Sequence, residues 1–393
     1  MIKKCTALFI AFLITSTSVF AASAPKEPTV EAIGAVLLDG ATGRVLWAKN
    51  ADKPLAMAST TKIMTAVLAL EYGKPDEIVT VSKRAASAPE VNMDLRVHEE
   101  IKLQYLIYAL MLQSSNDAAV AISEHIGGSV ENFCAMMTKR AAELGATDTV
   151  FETPNGLDSG DHHSTAHDMA LITRYALSLE GFLPLINTSN FTAESSKGTH
   201  YIVNKNRLLN EYEGANGVKT GFTGKAGHCF VGSARRGDMQ LISVVLASGW
   251  GGKGREQKWL DTKEILNYGF DNYKYSAIIH AGDPAGALSV SRSKTPSITL
   301  CFADEVILPL RADETSKVAV DKNYPVTIKA PVQKGQAVGT ASIKIDKAEV
   351  AEVDIITKEG AERHDLKTSL EKVVNAVFDC TTTKPLDLVL PEF

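Results

Sequence analysis

Residues 59–73 read STTKIMTAVLALEYG, and this stretch decides the fold. Ile63, Met64, Val67, Leu68 and Leu70 recur at helical spacing and cover a broad apolar face. A helix this apolar belongs in a protein interior. Gly73 and Pro75 stop it. Ser59 opens the helix, so Ser59 and Lys62 stand one turn apart, within side-chain reach.

Outward from this helix, the pattern changes on both sides. Residues 32–38 and 44–48 are apolar-rich runs around the turn residues 39–43, DGATG, which predicts a β-hairpin. Residues 101–112, 118–126 and 130–144 carry helical patterns, with the polar break QSSND at 113–117 between the first two. After Gly214 the pattern returns to strands, at 218–223, 228–235 and 239–247, and then to a helix at 259–268. Strands at both chain ends with helices between them predict an α+β domain whose sheet joins chain-distant strands. From 276 onward the helical signals vanish. Short β-rich runs recur at 288–290, 297–302, 305–310, 318–320, 326–328, 341–345 and 350–356, which predicts a small all-β domain. Leu366, Leu370, Val373, Val374, Val377 and Phe378 then fall on one helical face. The expected division is 25–275, 276–362 and an amphipathic helix with its tail at 363–393.

Residues 1–24 read as a secretory signal. Lys3 and Lys4 precede an apolar run, and small residues follow at Ala21, Ala22, Ser23 and Ala24. The run is shorter than the roughly 20 residues a membrane span needs, which favours a cleaved signal over a retained anchor. The expected location is outside the cytoplasm. Cys134, Cys229, Cys301 and Cys380 are too widely spaced in so large a chain to read as a disulfide framework. The balance of 41 basic and 46 acidic residues leaves a formal charge of −5, so nucleic acid is set aside as a partner.

Ser-x-x-Lys occurs four times, at 23–26, 59–62, 291–294 and 369–372. Any one of them reads equally well as a helix-capping serine beside a solvated lysine. The other three lie in the signal junction, the β-rich tail and the terminal helix, whereas 59–62 opens the buried helix and two further motifs follow it. Ser114-Ser115-Asn116 lies at the break between two helices, and Lys219-Thr220-Gly221 lies on a predicted strand. The set has coherent chemistry for acyl transfer. Serine needs a neighbouring base, and lysine serves as one when burial or a nearby cation lowers its pKa. Ser59 is the candidate nucleophile and Lys62 its base. Ser114 is placed to relay a proton, and Asn116 to hold Lys62 or a substrate amide. Lys219 and Thr220 offer a cation and a hydroxyl to a carboxylate. Gly221 permits close approach. The backbone N–H groups of Ser59 and Phe222 are the oxyanion-hole candidates.

In this order the three motifs are those of penicillin-binding proteins and class A β-lactamases. The chain resembles the low-molecular-mass penicillin-binding proteins that are serine-type D-alanyl-D-alanine carboxypeptidases. The stretches 110–118 (LMLQSSNDA), 151–158 (FETPNGLD), 167–172 (HDMALI), 216–229 (NGVKTGFTGKAGHC) and 329–340 (KAPVQKGQAVGT) carry that similarity. The resemblance implies a transpeptidase/β-lactamase-like domain, with an antiparallel sheet flanked by helices, followed by the β-rich domain and terminal helix. It implies removal of the terminal D-alanine from peptidoglycan stem peptides, acylation by β-lactams, no cofactor and no metal, and a helix resting on the outer face of the cytoplasmic membrane. Two positions depart from the family pattern. Phe222 stands where His or Tyr is usual, and Lys205 where some members carry arginine near the substrate carboxylate. The terminal helix is weakly basic, and packing on the β domain is its alternative placement.

Three other readings are open to test. A β-lactamase of the same fold would need a glutamate aimed at a deacylating water, for which Glu152 is nearest in sequence. A metallopeptidase would use His163 and His167, spaced i, i+4, but no glutamate follows the first histidine to act as base. A non-catalytic cell-wall binder would carry degenerate motifs, and all three are intact here.

Overall fold

The computed structural model describes residues 25–89, 91–364 and 366–381. The expected signal segment, Cys5 and the end of the tail lie outside the described residues.

The first strand, Gly34–Asp39, is buried along its whole length. Its side chains alternate between two cores. Val36 and Leu38 face the core around the Ser59 helix, while Ala35 and Leu37 face a second core with Trp259, Ile265 and Leu266. A strand covered on both faces has no polar side, so its sequence runs apolar throughout. The strand pairs antiparallel with Val45–Lys49 on one side and with Met239–Leu246 on the other. Gly227–Arg236 and then Ala215–Thr223 complete a five-stranded antiparallel sheet. Chain-distant strands therefore share one sheet, as the pattern predicts. Ala215–Thr223 is the sheet's last strand, with no described strand on its outer side.

Helices cover both faces. Lys62–Tyr72 is buried on nearly every side, with Ile63, Met64, Ala66, Val67, Leu68 and Ala69 all inside. Leu103–Leu112, Asn116–Gly127, Val130–Glu143 and Ala166–Ser178 share that core. The other face is covered by Gly251–Asn272, a 22-residue helix longer than the 259–268 the apolar pattern predicts. A separate four-stranded sheet includes the hairpin Asn190–Ser195 and Gly198–Val203, which the sequence reading misses.

The β-rich segment forms a six-stranded sheet around its own core of Leu288, Ile298, Leu300, Ile343 and Ile355. Lys274–Ile279 pairs with Val306–Leu310 in a further two-stranded ladder. A largely buried ion pair joins Arg44 to Glu314 at 2.8 Å, and Arg311 donates to the Tyr268 and Tyr273 hydroxyls at 3.1 and 3.3 Å.

The terminal helix spans Leu366–Thr381. It is not packed on the β domain through its apolar face. Leu370, Val373, Val374, Val377 and Phe378 are 45–65% exposed. Among the described residues, no helix is long and apolar enough to cross a membrane.

Candidate active site

Ser59 lies in a short 3-10 turn, Ala58–Thr61, and the α-helix proper starts at Lys62. The helix therefore begins three residues later than the sequence suggests, and the i, i+3 relation survives. Ala58 adopts φ 48°, a left-handed conformation that is strained for a residue with a Cβ. Two glycines make room for the turn. A Cβ on Gly221 would stand 2.9 Å from the Ser59 backbone nitrogen, and one on Gly156 would stand 2.0 Å from the Ala58 carbonyl oxygen. Gly156 also has φ 85°. No larger residue fits at either place without moving the turn.

Lys62 is fully buried. Its Nζ lies 3.0 Å from Ser59 Oγ, 2.7 Å from Asn116 Oδ1 and 2.5 Å from the Asn155 carbonyl oxygen. Burial above all, then the charge of Lys219, holds its pKa well below the ordinary lysine range; Asp117 opposes the shift. As a free amine it can accept the Ser59 hydroxyl proton; as an ammonium it donates to all three oxygens. Asn116 is only 3% exposed and its Nδ2 donates to the Pro89 carbonyl at 2.9 Å. Its Oδ1 accepts from Lys62 and its Nδ2 is engaged by Pro89.

Ser114 takes φ 73° at the break between helices and lines the cleft in front of Ser59. Lys219 is buried, with Nζ 3.1 Å from the Thr220 carbonyl oxygen. Burial, and then Lys205, push its pKa down to about 7. Ser59, Ser114, Lys205, Thr220, Gly221 and Phe222 line one cleft of about 590 Å3. Lys62, Asn116 and Lys219 do not line it; they are buried, Lys62 against Ser59 and Asn116, and Lys219 against the Thr220 backbone. The Phe222 side chain stacks on His228, ring centroids 4.3 Å apart, so it forms a wall.

Sequence reasoning misses the Asn155 carbonyl. The dipeptide Asn155-Gly156 after Pro154 marks a turn, but nothing in it marks the role of the carbonyl. Thr65 Oγ1 donates to the Pro154 carbonyl at 2.6 Å, which pins this turn to the nucleophile helix. His162 was also missed as a structural element. It is buried, its pKa is pushed down to about 4 by burial, and it bridges Thr61 Oγ1 at 2.9 Å and the Glu152 N–H at 3.0 Å. That neutral imidazole ties the 150s loop to the Ser59 turn.

The rival candidates fall apart in space. His163 pairs with Asp161 and His167 with Asp52, through separate contacts. Among the described residues, no group of three or more His, Cys, Asp and Glu is placed to hold a metal ion. Glu152 is held by Ser159 and the Asp161 backbone, and no carboxylate of a described residue lines the cleft. Cys134, Cys229 and Cys301 are free and buried. Burial pushes the Cys134 and Cys229 thiols up to about 12, which makes both unreactive.

Residues 20–249 match the family model for D-alanyl-D-alanine carboxypeptidase, peptidase family S11, and residues 273–363 match the penicillin-binding protein 5 C-terminal domain. D-alanyl-D-alanine carboxypeptidase DacF of Bacillus subtilis is 33% identical, over 89% of this chain and 90% of its own length. DacC of Escherichia coli is 31% identical over 89% of both. Among solved structures, penicillin-binding protein 5 of Haemophilus influenzae is 28% identical with a TM-score of 0.74, covering 86% of this chain and all of its own. Penicillin-binding protein 6B of Escherichia coli is 27% identical with a TM-score of 0.65, covering 86% of this chain and 97% of its own. With its serine–lysine pair on the same two-part architecture, the chain belongs to the S11 family of serine-type D-alanyl-D-alanine carboxypeptidases.

Proposed function

We propose that Ser59 is the nucleophile of this carboxypeptidase and that Lys62 is its base. Ser59 Oγ attacks the carbonyl of the penultimate D-alanine of a peptidoglycan stem peptide. Its proton passes to Lys62 Nζ, and the bond from Oγ to the carbonyl carbon forms. The backbone N–H groups of Ser59 and Phe222 hold the oxyanion. The C–N bond to the terminal D-alanine then breaks, and Ser114 passes the proton from Lys62 to the leaving amine. Water hydrolyses the ester by the reverse route. Lys219 and Thr220 hold the terminal carboxylate, with Lys205 adding charge where some relatives have arginine. The substrate backbone pairs along the open edge of strand Ala215–Thr223. The observation that carries this reading is the buried Lys62 Nζ, 3.0 Å from Ser59 Oγ.

A β-lactam presents the same carboxylate and a strained amide, and is expected to acylate Ser59. The absence of a described carboxylate in the cleft favours a slow-clearing acyl-enzyme over β-lactamase action. Intact mass after brief benzylpenicillin exposure tests both points. A one-to-one adduct is expected on the wild type and none on Ser59→Ala. An adduct that survives the substitution would overturn the assignment, and rapid penicillin turnover without an adduct would favour the β-lactamase reading.

We further propose that residues 1–24 direct export, that 25–275 and 276–362 are the two globular units, and that helix Leu366–Thr381 rests on the outer face of the cytoplasmic membrane. Its exposed apolar face supports the last point. The chain from residue 25 onward is expected to co-sediment with anionic lipid vesicles. A Val373→Glu, Val377→Glu double variant is expected to stay in the supernatant with D-alanine release unchanged. Equal sedimentation of the two proteins would sink the proposal.

A further inference from the structure

A second cleft, of about 460 Å3, opens beside the catalytic one. Gln113 lines both, so the two meet at the residue directly before Ser114. The walls of the second cleft come from segment 92–99 and from the hairpin around Gly198. They are firmly held together. Glu99 is 1% exposed and accepts from Ser195 Oγ at 2.5 Å and from the Arg96 backbone N–H at 2.8 Å. His200 bridges Glu99 Oε1 at 2.6 Å and the Met93 carbonyl at 2.9 Å. The shape therefore exists before any ligand arrives.

Two opposite charges face this cleft uncommitted. Asp94 and Arg96 both line it, and neither side chain has a hydrogen-bonded or ionic partner among the described residues. Asp94 also takes φ 65°, a strained conformation that its surroundings must hold. A preformed polar cleft with one free carboxylate and one free guanidinium fits a group that carries both an ammonium and a carboxylate.

The catalytic assignment above fixes where such a group would come from, and this inference rests on it. With the reacting carbonyl at Ser59, the residue before the two D-alanines lies one position upstream, about 3.2–3.4 Å further along an extended chain. Ser59 and Gln113 line the same cleft, so the upstream side chain enters the space that Gln113 shares with the second cleft. We propose that the second cleft binds the side chain of that residue and selects one ending in a free ammonium and a free carboxylate. Asp94 receives the ammonium and Arg96 the carboxylate.

Three stem peptides, differing only at that residue, test the proposal: meso-diaminopimelate supplies both groups, lysine the ammonium alone, and norleucine neither. For the wild type, kcat/KM is expected to be at least about tenfold higher with diaminopimelate than with norleucine. Arg96→Gln is expected to lower the diaminopimelate value to that for lysine. Asp94→Asn is expected to lower both the diaminopimelate and the lysine values. Norleucine turnover and benzylpenicillin acylation, measured in parallel, should be unchanged in both variants. Equal wild-type turnover of the three peptides would overturn the proposal, as would variants that keep the wild-type preference. Loss of norleucine turnover in the variants would assign these residues a general structural role instead. Failure of wild-type benzylpenicillin acylation would count against the catalytic reading, separately from this one.

Discussion

Lys62→Met is expected to slow benzylpenicillin acylation by about 10²–10⁴-fold, the usual contribution of a positioned general base. Methionine keeps most of the buried volume and removes the amine. Ser59 then has no base, because the remaining groups near its hydroxyl are the Asn155 carbonyl, which cannot take a proton, and distant cations. Stopped-flow acylation at saturating penicillin reads the effect. A rate within tenfold of wild type would mean that the proton leaves Ser59 by another route.

The same substitution carries a second, separable consequence. The folded-state pKa of Lys62 lies well below its unfolded value. Between those two values the unfolded chain binds one more proton than the folded one, so this lysine makes stability rise with pH. Its penalty is fully present below the folded pKa and vanishes as pH rises through the unfolded value near 10.4. Lys62→Met removes that dependence. Urea midpoints should therefore favour the variant more at neutral pH than at pH 10. The lost donor to Asn116 and Asn155 costs about 1–3 kcal/mol per orphaned oxygen and offsets part of the gain.

Lys219→Met is expected to lower kcat/KM for a peptide ending in D-Ala-D-Ala by about 10²–10³-fold, within the range for truncating one partner of a buried charge pair. The reason is the terminal carboxylate. Without Lys219 it enters a dry site with only Thr220 and the outlying Lys205 to receive it. A substrate with a C-terminal carboxamide provides the control, and on it wild type and variant should converge. The wild-type pH profile carries the same information. In the free enzyme Lys219 loses its charge as pH rises through about 7, so kcat/KM for the carboxylate substrate should fall on the alkaline side. The carboxamide should not show that limb. An identical alkaline limb for both substrates would remove Lys219 from carboxylate recognition.

Much of this site is legible in the sequence because its chemistry rests on residue types at fixed local spacings. Ser59 and Lys62 are one turn apart. Ser114 and Asn116 are two residues apart, at the break before a helix and at its first residue, and Lys219, Thr220 and Gly221 are consecutive. The unreadable parts act through the backbone. The Asn155 carbonyl that grips Lys62 could belong to any residue type, and its position depends on the contact of Gly156 with the Ala58 turn. The fold shows the same division. Strands that face two cores announce themselves by composition. The helix Gly251–Asn272 does not, because residues 251–258 read GGKGREQK and supply no apolar periodicity. Its first turns are fixed by a close approach of Gly254 to Gly249, where a Cβ would stand 2.3 Å from the Gly249 carbonyl carbon. The hairpin 190–203 was missed because it buries only Ala193 and Ile202.

The open outer side of strand Ala215–Thr223 has a cost beyond the reaction. An unpaired sheet edge is a template for any extended chain, including a second molecule of the same protein. Proteins usually cover such an edge, and on the proposed binding mode a cover here would close the substrate's path. The strand's inward lysine and its glycines, Gly217 and Gly221, weaken it as a partner for ordinary strands. On the proposed binding mode, the cation expected to admit a carboxylate-ended peptide would also make the same edge unwelcoming to a chain that has no carboxylate to offer.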